Sequence, residues 1–158
     1  MSSRWTEAIA RRFLAHTKPS QRRVNLQQEG FPCVAPISLE LPYPPLNNTY
    51  YRHFHGKTLL SREGRAYREV IAQLIMASWP SGILRPFNNL LVVSITVHPP
   101  SRRHRPDSDA VLKAPFDAME YAGVYLNDAL IQDHHVYKRA PRPHLGCLYI
   151  TIEPYKEE

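Results

Sequence analysis

Residues 90–98 read Leu-Leu-Val-Val-Ser-Ile-Thr-Val-His, and this run constrains the fold more than any other part of the chain. Branched side chains at Val92, Val93, Ile95, Thr96 and Val97 are stiff at χ1 and pack well on a pleated surface. The run is therefore expected as the central strand of a sheet, and it passes directly into Pro-Pro-Ser-Arg-Arg-His-Arg-Pro, a stiff basic loop.

The remaining elements follow from periodicity. Ile37, Leu39 and Leu41 alternate with Ser38 and Glu40, which predicts a strand ended by Pro42. Ser61 offers an N-cap to a helix whose apolar stripe is Tyr67, Val70, Ile71, Leu74 and Ile75, ending near Trp79-Pro80. A second helix is expected over 107–122, burying Val111, Leu112, Phe116, Met119 and Tyr121, with Gly123 as its stop. Two further strands are expected at about 131–139 and 146–153. The order β-α-β-α-β-β predicts an α+β domain with two helices packed on a small mixed sheet.

Residues 1–37 read as an N-terminal helical and irregular extension, and residues 38–158 as the domain itself. In the extension Trp5, Ile9 and Phe13 recur at helical spacing, with Ala10 and Leu14, opposite Arg4, Arg11 and Arg12. The Arg-rich composition is compatible with a transit peptide; a basic arm that packs on the domain or on a second subunit is the preferred reading. Between these units the polar, Pro-broken stretch up to Pro36 reads as a linker.

At 158 residues the chain is long enough for one real core, and it carries a net charge of +6. That charge favours a polyanionic partner, nucleic acid before an anionic membrane surface. No stretch approaches the roughly 18–20 apolar residues of a membrane span. Cys33 and Cys147 have no metal-ligand spacing, which argues against a disulfide framework or structural zinc and for a cytoplasmic location. The histidines, His53, His55, His98, His104, His134, His135 and His144 among them, show no zinc spacing either.

Chemistry concentrates in residues 102–129. Arg102, Arg103, His104 and Arg105 are followed at once by Asp107 and Asp109. Carboxylates beside a basic loop suit a site where a cation and a phosphate meet, and Mg²⁺ takes a few carboxylate oxygens together with water and phosphate. A helix start explains the same residues nearly as well, with Asp107 or Ser108 as cap, acids in the first turn, and Lys113 four residues after Asp109. Asp128 reads locally as a turn residue, and Asp117 as a solvated helix residue. Tyr50, Tyr51, Arg52, His53, Phe54, His55 and Lys57 mix aromatic and basic side chains, as suits bases and backbone phosphates. A hairpin whose rings cover the sheet is the other reading.

From about residue 38 onward the chain resembles the RusA family of Holliday-junction resolvases, the crossover junction endodeoxyribonucleases of bacteria and their phages. The resemblance lies in Leu-Pro-Tyr-Pro-Pro-Leu-Asn-Asn-Thr-Tyr-Tyr-Arg-His-Phe-His-Gly-Lys-Thr and in Ser61-Arg62-Glu63-Gly64-Arg65-Ala66-Tyr67-Arg68. It continues through Asp107-x-Asp109, Lys113, Phe116-Asp117-Ala118, Gly123 and Leu126-Asn127-Asp128-Ala129. It implies a small homodimer that binds four-way or other branched DNA and, with Mg²⁺ (Mn²⁺ as a substitute), nicks two strands symmetrically. It implies Asp107, Asp109 and Asp128 as metal-binding catalytic acids and Lys113 as the essential lysine. With these, Arg102, Arg103, Arg105, Arg52 and Lys57 are expected to hold DNA; a junction-binding protein without strong cutting activity is the alternative. Ala110 stands where the family commonly has asparagine, and Pro106 where an arginine often precedes the first aspartate.

Overall fold

The computed structural model describes residues 30–103 and 107–157. The amphipathic helix expected around Trp5, Ile9 and Phe13 lies outside the described residues, as do His104, Arg105 and Pro106.

Strand β1 (Ile37–Pro42) alternates buried and exposed positions up to Leu41, as its sequence alternates apolar and polar residues. A single helical turn, α1 (Asn47–Tyr50), leads into a hairpin of β2 (Tyr51–Phe54) and β3 (Lys57–Leu60). The stretch thus folds as a hairpin. β2 and β3 form a separate two-stranded sheet, with Tyr51 packed against the core and residues 52–59 exposed, so the rings of His53, Phe54 and His55 do not cover the main sheet. The turn residues His55 and Gly56 both have positive φ, 46° and 71°, as a two-residue turn matched to strand twist requires.

Helix α2 (Arg62–Ser78) starts where expected. The Ser61 hydroxyl accepts a 2.9 Å bond from the Gly64 amide, and Tyr67, Val70, Ile71, Leu74 and Ile75 are buried. The β-branched run is β4 (Leu91–His98), with Leu91, Val93, Ile95 and Val97 buried and the intervening residues half-buried. After the basic loop comes a short 3₁₀ turn at Asp109–Val111, and only then α3 (Lys113–Tyr121). The helix expected over 107–122 is thus shorter at its front. Val111 and Met119 are buried as expected, whereas Tyr121 is exposed and donates its hydroxyl to Glu69 Oε1 at 2.7 Å. Gly123, at φ 74°, ends the helix, its amide bonding Glu120 O while Val124 N bonds Met119 O. A second 3₁₀ turn, Asp128–Leu130, precedes β5 (Ile131–Lys138), and β6 (Cys147–Pro154) completes the sheet.

The four-stranded sheet runs β1-β6-β4-β5, with β4 parallel to β5 and antiparallel to β6, and β6 antiparallel to β1. It is mixed, as expected. One face carries Ile37, Leu39, Leu41, Val93, Ile95, Leu148, Ile150 and Ile152 into a core shared with α2 and α3. Leucine, isoleucine and valine side chains buried at this depth each stabilise the fold by about 1.5–3 kcal/mol before chain entropy is counted. Ahead of β1, Phe31 bonds through its backbone to Pro86 and Asn88, and Cys33 is buried. No helix of the described residues is long and apolar enough to cross a membrane.

Candidate active site

The crossover from β4 to β5 carries α3, and α3 sets the geometry of the site. Lys113, Asp117 and Glu120 are spaced i, i+4, i+7 and so share one helix face. Lys113 Nζ lies 2.8 Å from Asp117 Oδ1 and 3.6 Å from Asp128 Oδ2. The second oxygen of Asp117 accepts a 3.0 Å bond from the Tyr51 hydroxyl, at the base of the hairpin, and lies 3.6 Å from Arg68 Nη2 on α2. Arg68 Nε in turn donates to the Tyr50 hydroxyl at 3.0 Å. Asp128 is placed by its own backbone, whose amide donates to Glu120 Oε2 at 2.9 Å, and by Asn127, whose side chain accepts from the Ala129 amide at 2.7 Å.

Burial ranks these groups. The Asp117 side chain is 12% exposed, Asp128 35% and Lys113 47%. A carboxylate this enclosed is costly unless paired, and the ammonium, the phenol and the guanidinium together satisfy Asp117. The hydrogen bond to Asp117 raises the Lys113 pKa, against the opposing effect of burial, and the charges of Asp117, Tyr51 and Asp128 add to the rise. Lys113 is therefore a cation at neutral pH. Burial, then the bond to Asp117, raises the Tyr51 phenol, which keeps its proton and acts as a donor. The Lys113–Asp128 contact is longer and more open to water, so it is the weaker of the two ion pairs.

Asp117 is thus no solvated helix residue. It is the hub of this network, and neither its spacing from Asp109 nor its helical position signalled that. The usable signal is its i, i+4 spacing from Lys113, which stands at the same spacing from Asp109 on its other side. Tyr51, Arg68 and Glu120 also enter the site only through the fold.

Asp107 and Asp109 lie exposed on the segment leading into α3. Their carbonyls accept 3.2 Å bonds from Ala110 N and Leu112 N, and neither Ser108 nor Leu112 makes a side-chain cap bond. Among the described residues no side-chain hydrogen bond or ion pair engages either carboxylate, so helix capping does not account for them. Ala110 is half-buried in the 3₁₀ turn.

As a donor set, Asp107, Asp109 and Asp128 offer the hard oxygens that a divalent cation takes. Among the described residues, however, no three His, Cys, Asp or Glu side chains lie close enough together to hold a metal ion. The carboxylates suit the ion in kind, and this conformation does not gather them. Asp133 is spent elsewhere, 2.8 Å from the His134 amide and 3.4 Å from His135 Nε2. Arg102 and Arg103 are exposed at the start of the basic loop, and Arg52 and Lys57 are exposed on the hairpin. The loop and the hairpin present cationic side chains, with the hairpin rooted at Tyr51 beside Lys113.

The chain is similar in sequence to known proteins. The sequence profile described as Endodeoxyribonuclease RusA matches residues 42–153, which run from the last residue of β1 to the penultimate residue of β6 and include the whole α3 site. Crossover junction endodeoxyribonuclease RusA of Escherichia coli strain K12 is 43% identical over 116 residues, covering 73% of this chain and 92% of that protein. The protein of the same name from Enterobacteria phage 82 is 43% identical over 115 residues, covering 72% and 91%. That from Shigella sonnei is 42% identical over 116 residues, covering 73% and 92%. A profile match over most of the chain, with relatives this similar along nearly their whole length, places the chain in the RusA endodeoxyribonuclease family.

Proposed function

We propose that this protein is a crossover junction endodeoxyribonuclease, hydrolysing phosphodiesters at four-way DNA junctions. The single observation that carries the reading is the Lys113 ammonium held between Asp117 and Asp128 at the foot of a basic, aromatic hairpin. Its relatives bear the name of that activity over nearly their full length.

A nuclease family of this kind implies a divalent metal, and we infer Mg²⁺, with Asp107, Asp109 and Asp128 as the residues that would hold it. Such an ion, when bound, polarises a phosphoryl oxygen and lowers the pKa of a bound water. The chain's own contribution is positioning and charge. Lys113 supplies a fixed cation to the phosphate, whose negative charge shifts during displacement. Arg102, Arg103 and Arg105 from the loop, with Arg52 and Lys57 from the hairpin, are proposed to neutralise backbone phosphates and set the register of the DNA. Two copies related by a two-fold axis would present two such sites to a near-symmetric junction, which is the basis for proposing a homodimer. The domain is proposed to begin near residue 38, ahead of the 42–153 match.

One observation favours a second reading, junction binding with little cutting: the three carboxylates are not gathered in this conformation. The two readings separate on a labelled four-way junction incubated beside a linear duplex of the same sequence. Paired nicks in the junction alone, dependent on Mg²⁺ and lost in Asp109→Asn, are expected. Tight binding without cleavage in Mg²⁺ or Mn²⁺ would leave the binding reading standing and overturn the enzymatic one.

A further inference from the structure

The network around α3 contains a residue that neither the catalytic acids nor the essential lysine accounts for. Asp117 sits one helical turn beyond Lys113 and is the more deeply buried of the two carboxylates that the ammonium touches. We propose that Asp117 is a positioning residue, which fixes the Lys113 ammonium for reaction and, through Tyr51, ties it to the hairpin. This rests on the reading of Lys113 given above.

The case is one of stiffness. A lysine is a charge on a four-carbon stem with about 2 kcal/mol of rotamer entropy, so a half-exposed ammonium does not hold one position unaided. Asp128 is a loose partner at 3.6 Å. Asp117 is a tight one at 2.8 Å, and its own orientation is determined. Its Oδ2 is taken by the Tyr51 hydroxyl at 3.0 Å, with Arg68 at 3.6 Å, so Oδ1 is the atom left to face the lysine. Tyr51 opens β2 and its ring meets that of Tyr50 edge-on, at 4.8 Å between centroids. Tyr50 is wholly buried and is held by Arg68. A displacement of the hairpin base is therefore transmitted to Asp117, and from it to the ammonium, through directional contacts.

Two opposite expectations separate positioning from packing. If the negative charge of Asp117 holds the lysine, Asp117→Asn lowers the single-turnover cleavage rate on a Mg²⁺-loaded junction by about 10–100-fold, while the metal-free junction Kd changes less than about 3-fold. Asp117→Glu, which keeps the charge on a longer arm, retains most of the rate. If Asp117 only fills space and accepts hydrogen bonds, the order reverses: Asn, isosteric and still an acceptor, is tolerated, and Glu is not.

Tyr51→Phe removes one oxygen and leaves the fold in place, so it serves should Asp117→Asn fail to fold; a rate loss of about 3–10-fold at unchanged Kd is expected. A wild-type rate in Asp117→Asn, or in Tyr51→Phe where that variant must stand in, overturns the proposal. So does a loss of affinity equal to the loss of rate. Lys113→Ala distinguishes the levels. If it cleaves at the full rate, the reading of the lysine fails; if it is inactive while Asp117→Asn is normal, only the role of Asp117 fails.

Discussion

At the scale of residues, similar side chains acquire different meanings from their surroundings. Asp109 and Asp117 stand eight positions apart. One is exposed ahead of a helix, and the other is enclosed by a lysine, a tyrosine and an arginine. The sequence drew attention to the first because a basic run precedes it, whereas the second depends on a hairpin some sixty residues earlier in the chain. Gly64 makes the same point about backbone. A glycine inside a helix costs about 1 kcal/mol relative to alanine, yet here a Cβ would stand 2.6 Å from the Tyr50 carbonyl and 2.8 Å from Leu60 Cδ1. That carbonyl accepts the Ser61 amide, a bond that ties the end of α1 to the N-cap of α2. Gly64→Ala is therefore expected to destabilise the protein by about 1–3 kcal/mol despite better helix propensity, read as a lower midpoint in urea. An unchanged or raised midpoint would show that the close approach is readily relieved.

At the scale of elements, most of the architecture was legible. Strands β1 and β4 and helix α2 appear at their expected positions because one face of each is buried, and burial writes a period of two or of 3.6 into the sequence. The front of α3 was not legible, because Asp107, Ser108 and Asp109 satisfy the composition of a helix start without making its cap bonds. The hairpin is one of two readings the sequence allows, since His-Gly is a weaker turn signal than Asn-Gly, although Gly56 supplies the required positive φ. Its exposure gives a test. If Arg52 and Lys57 each meet a phosphate, replacing both with alanine lowers the slope of log K against log salt by about 1.8 and weakens junction binding roughly uniformly across sequences. An unaltered slope would remove the hairpin from the DNA contact.

At the scale of the whole molecule, the buried phenols set the alkaline limit. Burial holds Tyr67 and Tyr125 well above the ordinary tyrosine value and pushes Tyr50 up to about 12; Lys113 is raised too, by its bond to Asp117. All four groups keep protons in the folded state that the unfolded chain releases near pH 10. Stability is therefore full below about pH 10 and falls as pH rises through the folded values. The buried phenols should accordingly ionise only together with loss of the circular dichroism of the fold. Ionisation of all nine tyrosines near pH 10 with the fold intact would contradict this.

The strand order carries a consequence for how such a protein is made. β6 lies between β1 and β4, so the sheet has no continuous middle until residues 147–154 have been synthesised. Until then β1 has no neighbour, and β4 has only β5. A polypeptide halted on the ribosome before that point carries every carboxylate of the site but not the platform beneath them. A chain cut short before Cys147 is accordingly expected to lack the folded sheet and with it any junction cleavage, measured as loss of the circular dichroism and the nicking seen with the full-length protein.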